Sequence, residues 1–247
     1  MNKIKTVILG CGSVAGNNFD LNCSLNHAKE IKNNKNFKLI ACIEKIKDKK
    51  LRFQRKYKIP FSYNSFKSFT KSKLKYDLIV VTTNSELHYN NLIELSNHTP
   101  KNILCEKPIC KTKKELETLN KIIKLNNINF FVNFNRKEDK AIKNLKKTLR
   151  KNIFGNIQYV RCIYGNGILN NGIHMIDLLF YLFKNLKLKK VTKSKKYKNK
   201  ISPSFVLESN DKFLIYVDAL KYNKFSMFEM DIILQNGRIK YRCCWII

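Results

Sequence analysis

Short apolar runs separated by helix-spaced segments dominate the first half of the chain. Ile4–Leu9 runs into Gly10-Cys11-Gly12 and reads as a buried strand ending in a tight turn. A helix is expected around His27–Lys32, and Phe37–Ile43 reads as a second strand closing on Glu44. Asp77–Thr82 is continuous and β-branched, the pattern of a parallel strand covered on both faces. Asn102–Cys105 and Ile128–Phe134 are further strands, and Leu116, Leu119, Ile122 and Ile123 recur at helical spacing between them. Strands alternating with helices predict an α/β, doubly wound parallel sheet.

Beyond about Arg150 the pattern changes. Ile157–Tyr164 alternates like a half-exposed strand, and Ile173–Phe183 has the periodicity of an amphipathic helix. Phe205–Leu207, Phe213–Val217, Phe228–Leu234 and Ile239–Trp245 form a strand-rich tail. Asn236-Gly237 predicts a hairpin turn, because both residues tolerate positive φ. Lys187–Lys200 is a lysine-rich connector or edge strand. The expectation is a second, α+β domain on an open, largely antiparallel sheet, with domains at 1–136 and 137–247.

Composition narrows the class. With 247 residues, 44% of them hydrophobic, the chain can bury a substantial core. Lys and Arg outnumber Asp and Glu by 49 to 18, a net charge of +31. Such an excess suits nucleic acid, an acidic membrane surface or an anionic substrate. The lysines are dispersed, however, which favours solvated faces. Lys187–Lys200 holds Tyr197 as its one aromatic, so it offers little base stacking and no specific nucleic-acid partner is expected. Eight cysteines without a C-x-x-C pair, and scattered histidines, provide no zinc site. Met175–Phe183 is too short to span a bilayer and contains Asp177, so no membrane association is expected. The N-terminus lacks a signal-peptide pattern, and free thiols in apolar runs read as a reducing cytoplasm.

Gly10-Cys11-Gly12-Ser13-Val14-Ala15 fits G-x-G-x-x-G/A directly after a strand. Gly10 permits the turn, Gly12 lets the backbone approach a pyrophosphate, and Ala15 keeps the following helix close to the sheet. The N-terminus of that helix favours phosphate charge. An acid closing the second strand accepts hydrogen bonds from the adenosine ribose and repels a 2′-phosphate. Glu44 therefore favours NAD over NADP, with NADP the alternative because Lys45 softens the discrimination. Glu44 lies farther along than the usual spacing of about 20 residues. An insertion near Asn17–Asn26 accounts for that.

Cys105-Glu106-Lys107-Pro108 follows the fifth strand, at the carboxyl edge where such sheets bind ligands. Lys107 beside a cationic nicotinamide would have its pKa lowered and could polarise a hydroxyl. Taken alone, Glu-Lys-Pro is a common surface tripeptide. His174, in Asn170-Asn171-Gly172-Ile173-His174-Met175-Ile176-Asp177, is the best general acid or base in the chain. A histidine at a helix start also serves as a cap or packing residue, and Asp177 one turn later suits a cap or a local ion pair.

The glycine turn, Thr83-Asn84-Ser85-Glu86-Leu87-His88, Glu106-Lys107-Pro108, Asn135-Arg136 and Gly172-Ile173-His174-Met175-Ile176-Asp177 occur in one order and spacing. Together they resemble the Gfo/Idh/MocA (glucose–fructose oxidoreductase/inositol dehydrogenase) family over essentially the whole chain. The resemblance implies a Rossmann domain followed by an open-sheet α/β domain. It implies NAD(P)-dependent oxidation or reduction of a sugar or cyclitol secondary alcohol. Lys107 would be the active-site lysine and His174 the proton-relay histidine. The cofactor would rest on Gly10, Gly12, Ser13, Val14, Ala15 and Glu44. Thr83, Ser85, His88, Glu106 and Lys107 would lie towards its nicotinamide ribose. The stretch before His27-Ala28-Lys29 and the Asn-Asn-Gly-x-His segment resemble a branch linked to surface-polysaccharide biosynthesis, which implies a nucleotide-sugar substrate. Second domains of this family pair face to face, so a homo-oligomer through the C-terminal sheet is expected.

Three departures from the family pattern stand out. Asn170 occupies a position where many members carry an acid. An amide can orient an imidazole but cannot stabilise imidazolium by charge, which opens the alternative of a non-catalytic, dinucleotide-binding relative acting through a partner. Asn84 replaces a usual proline. The sequence also stops at Cys243–Ile247 in what reads as a strand, so a shortened second domain with an unpaired edge is expected.

Overall fold

The computed structural model describes residues 2–17, 26–197, 200–221 and 225–246. Its contacts divide the chain into two units, Met1–Asn133 and Phe134–Ile247.

The first unit runs β1 (Ile4–Leu9), α1 (His27–Asn33), β2 (Phe37–Ile43), α2 (Lys47–Tyr57), β3 (Phe61–Tyr63), α3 (Phe66–Lys71), β4 (Leu78–Val81), α4 (His88–Ser96), β5 (Asn102–Cys105), α5 (Lys113–Leu125) and β6 (Asn129–Val132). The strands lie in the order β3-β2-β1-β4-β5-β6, every pair parallel. This is the doubly wound order, with its reversal between β1 and β4. Continuous apolar strands form because both faces are covered. Val7, Ile79 and Ile103 pack with Phe69, Leu95 and Leu119, while Ile8, Cys42 and Val80 pack with Ala28 and Phe53. Helix starts are set by polar caps: Asn26 accepts the Lys29 amide, and Thr112 with Glu115 forms a reciprocal capping box.

The second unit runs α6 (Lys140–Arg150), β7 (Ile157–Tyr164), α7 (Ile173–Leu182), β8 (Lys187–Tyr197), β9 (Lys200–Glu208), β10 (Leu214–Ala219), β11 (Phe225–Leu234) and β12 (Gly237–Ile246). Its sheet order is β12-β11-β7-β10-β9-β8. The sheet is mixed, because β10 runs parallel to β7 while the other pairs are antiparallel. The crossover through α7 starts β8 at the far edge in the direction of β7, and β9 and β10 then fill inward. Of the lysine-rich Lys187–Lys200, Lys187–Tyr197 is therefore an edge strand and Lys200 begins β9.

The hairpin between β11 and β12 differs in detail from expectation. Leu234 pairs with Gly237, so its loop is Gln235-Asn236, and neither Asn236 nor Gly237 has positive φ. Gly237 is needed for another reason: a Cβ there would sit 2.8 Å from the Phe154 ring.

Candidate functional site

The carboxyl ends of β1 and β4 open beside the point where the sheet reverses. Gly10 turns with φ +95°, and a Cβ on it would lie 2.6 Å from the Thr83 nitrogen. Only glycine fits that conformation and that approach. Thr82, buried, donates its hydroxyl to the Gly10 carbonyl at 2.7 Å and ties the two strand ends together. At Gly12, by contrast, a Cβ would meet nothing within 4 Å. The space it would fill opens onto a cleft of about 280 Å³ lined by Gly10, Gly12, Glu44, Lys45, Lys49, Thr83 and Asn84. An open approach to bare backbone at a strand–turn junction suits a pyrophosphate, so these residues fit a dinucleotide.

The glycine turn does not lead directly into the expected helix. Ser13–Asn17 is a single wide turn that ends at Gly16 with φ 123°. Residues 18–25, where most of the expected insertion falls, lie outside the described residues together with Cys23. The turn is held from α2, because the Tyr57 hydroxyl and the Lys56 ammonium each donate to the Gly16 carbonyl at 2.8 Å. Ala15 is buried, whereas Ser13 and Val14 are exposed on the turn. A phosphate here would meet one turn of amides rather than a helix terminus.

Glu44 sits at the end of β2 and does structural work that its position in the sequence did not reveal. Its Oε2 accepts the Cys11 amide at 2.9 Å and its Oε1 accepts the Ile46 amide at 3.1 Å. Each oxygen keeps a further lone pair for a ribose hydroxyl. Lys45 and Lys49 line the same cleft, and buried Lys50 donates to the Asn64 side chain. Beneath the turn, the Cys42 partner and then burial hold the Cys11 thiol far above its ordinary range, so it stays protonated.

The loops after β4 and β5 are joined. Thr83 Oγ1 accepts from the Asn91 amide at 2.8 Å, and Ser85 is exposed. His88 lies between the two loops. It is 1% exposed, with Nδ1 2.8 Å from the Pro108 carbonyl and Nε2 2.8 Å from the Thr83 carbonyl, so its ring is engaged by the loops. Glu106 Oε1 takes His27 Nε2 at 2.7 Å and Asn133 Nδ2 at 2.6 Å. Burial pushes the Glu106 carboxyl up, but the bonds from His27 and Asn133 and the charges of His27 and Lys107 outweigh it and hold it low. Glu106 is thus a carboxylate beside Lys107, which is half-buried.

In the second unit His174 opens α7 at 8% exposure, with the Phe134 ring edge-on at 6.0 Å between centroids. Asp177 pairs with Lys137 at 3.6 Å. Burial raises the Asp177 pKa, and Lys137 offsets only part of that. Asn170 is exposed on the turn Ile168–Gly172 that leads into α7. Sequence reasoning missed His27, Thr82, Asn91, Asn133 and Lys137 as parts of these arrangements. His27 had a legible signal, as the first residue after an asparagine cap; the others are ordinary polar residues until the strands are paired.

A family model described as an oxidoreductase family with an NAD-binding Rossmann fold matches residues 4–134. No curated protein matches the chain. Solved structures share its fold at low identity. Apo scyllo-inositol dehydrogenase from Lactobacillus casei is 17% identical with a TM-score of 0.79, over 97% of this chain and 75% of its own. Myo-inositol 2-dehydrogenase from Lactobacillus plantarum is 18% identical with a TM-score of 0.80, over 97% and 76%. An oxidoreductase from Desulfitobacterium hafniense described as NADPH-dependent is 15% identical with a TM-score of 0.83, over 98% and 74%. Among the described residues no helix is long and apolar enough to cross a membrane.

Proposed function

The chain belongs to the Gfo/Idh/MocA oxidoreductase family, and from that premise we propose that it oxidises or reduces a secondary alcohol of a sugar, cyclitol or nucleotide sugar. When bound, a nicotinamide dinucleotide supplies the hydride acceptor or donor. The observation that carries the reading is Lys107 on the loop after β5, beside ionised Glu106, at the carboxyl edge of the sheet whose glycine turn leaves Gly12 open.

Glu44, Lys45, Gly10, Gly12 and the exposed turn at Ser13 and Val14 hold the adenosine and phosphate portion. Ser85 and Thr83 belong to the nicotinamide side. Lys107 orients the reacting oxygen and polarises it with its ammonium charge. His174 accepts the hydroxyl proton during oxidation and returns it during reduction, since imidazole exchanges protons near neutral pH. Asn170 is the candidate to orient that imidazole. The excess of lysine favours an anionic substrate such as a nucleotide sugar, handled in the cytoplasm by a homo-oligomer assembled through the second sheet.

The test is NAD(P)H formation or consumption across sugars, cyclitols and nucleotide sugars, with Lys107→Met as the control. Turnover should vanish in that variant while NADH binding persists; unchanged turnover rejects the role of Lys107. Asn170 favours a second reading, since an amide there supplies no charge to an imidazolium. NADH binding with no hydride transfer to any substrate would establish a non-catalytic relative.

A further inference from the structure

We propose that Asn64 reads the adenosine ribose of the cofactor as a hydrogen-bond donor set beside the acceptor Glu44, with Lys50 as the positioning residue that fixes its amide. β2 and β3 pair in parallel, and Ile43 with Tyr63 is their last pair. Glu44 and Asn64 are the next residues on the two strands, so they stand side by side at the carboxyl edge of the sheet. The Glu44 amide donates to the Tyr63 carbonyl at 3.0 Å and keeps the two strand ends together. Both residues line the cleft that Gly12 opens onto.

A side-chain amide can offer a ligand either its oxygen or its NH2, and here Lys50 decides which. Lys50, on α2, is 9% exposed and donates its ammonium to Asn64 Oδ1. An ammonium has donors only, so the amide oxygen must face it. Nδ2 makes no hydrogen bond among the described residues and is left to the cleft. Glu44 is its complement, because a carboxylate only accepts, and each of its oxygens keeps a lone pair beyond the Cys11 and Ile46 amides. A ribose hydroxyl is donor and acceptor at once. It can give its proton to Glu44 while taking one from Asn64.

The other donors along this stretch suit the task less. Lys45 and Lys49 are exposed on long stems, which must be ordered before they can hold a neutral hydroxyl. Ser65 uses its hydroxyl to accept the Ser68 amide at the start of α3. Asn64 alone among them is exposed to the cleft and held from behind by a buried group. The inference rests on a bound dinucleotide and not on the turnover of any alcohol.

Fluorescence titration with NADH, and with its analogues lacking the 2′- or the 3′-hydroxyl of the adenosine ribose, tests it on the full-length chain. Asn64→Leu should weaken NADH binding about fivefold, the equivalent of one neutral hydrogen bond. One of the two deoxy analogues should bind the parent more weakly and be insensitive to this substitution. Equal losses for NADH and both analogues overturn the ribose contact. Asn64→Asp keeps an oxygen for Lys50 but removes the NH2, so it should lose at least as much affinity; parent-like binding of NADH by this variant overturns the proposal. Should Asn64→Leu fail to fold, Asn64→Asp with the same analogues decides. Lys50→Met frees the amide to turn and should shrink the preference for ribose over the deoxy analogue; an undiminished preference overturns the role of Lys50. A parent chain that binds no NADH removes the dinucleotide reading itself. Ribose discrimination that depends on Asn64, in a chain that reduces no sugar, keeps the inference and removes the proposed activity.

Discussion

Glu44 accepts the amide of Cys11 at 2.9 Å, and through that bond the end of β2 holds the glycine turn that ends β1. A second amide, that of Ile46, occupies the other carboxylate oxygen. Glu44→Ala should therefore cost stability as well as cofactor affinity, about 2 kcal/mol for two half-exposed bonds to a charged acceptor. Glu44→Gln keeps one acceptor and should fall between. Urea denaturation without cofactor separates this from ribose recognition, since a residue serving ribose alone would leave unfolding unchanged.

The charges around Glu44 bear on which dinucleotide is used. Lys45 and Lys49 line its cleft and offer counter-charge to a 2′-phosphate. Reversing both, Lys45→Glu with Lys49→Glu, should weaken NADPH binding by about tenfold more than it weakens NADH binding. The NADPH effect should shrink as salt is added, because exposed charges are screened. Equal losses for NADH and NADPH in fluorescence titrations would place both lysines away from the 2′ position.

Much of this architecture was legible. β1, β2, β5 and β7 match their apolar runs residue for residue, because strands covered on both faces or alternating cleanly leave little ambiguity. The edge strand β8 was half legible: its lysines masked a period interrupted by bulges between Leu188 and Lys190 and between Val191 and Lys193. The parallel pairing of β10 with β7 was not legible, since it depends on where the crossover delivers the chain. The site shows the same division. Gly10, Glu44 and Lys107 are legible from their places just after the apolar runs of β1, β2 and β5. That Glu44 binds an amide, that His88 faces two carbonyls and that Asn133 and His27 share Glu106 are facts of tertiary contact between distant segments.

Asp177 gives a pH-dependent prediction. Burial raises its pKa above the ordinary value, so the folded state binds its proton more tightly than the unfolded chain does. Between those two values stability falls as pH rises, and at neutral pH the ionised carboxylate is a net cost. Asp177→Asn should then be more stable than the parent at neutral pH, with the advantage fading as pH drops below the ordinary aspartate range. Lys137→Met should have the opposite effect at neutral pH and none in acid, because it removes the charge at 3.6 Å that offsets part of the cost. Thermal melts of both variants at neutral and acidic pH test this; an advantage for Asp177→Asn that persists in acid would mean ionisation is not its source.

The two glycines of the turn should fail in different ways. Gly10 has φ +95° and its added Cβ would lie 2.6 Å from the Thr83 nitrogen and 2.8 Å from the Thr83 Cα. Backbone on that side cannot give way without moving β4, so Gly10→Ala combines an unfavourable dihedral with a clash. Roughly 3 kcal/mol or more of stability should be lost. Gly12 has neither problem: its φ is not positive, and a Cβ there meets nothing within 4 Å. Gly12→Ala should fold within about 0.5 kcal/mol of the parent, as surface substitutions without a strained backbone do. Its methyl would instead occupy the space where a pyrophosphate approaches the backbone, and NADH affinity should drop about tenfold or more. Melting temperature and NADH titration on the same two proteins separate the roles. A stable Gly12→Ala protein that binds NADH as the parent does would move the pyrophosphate away from the turn, whatever happens at Gly10.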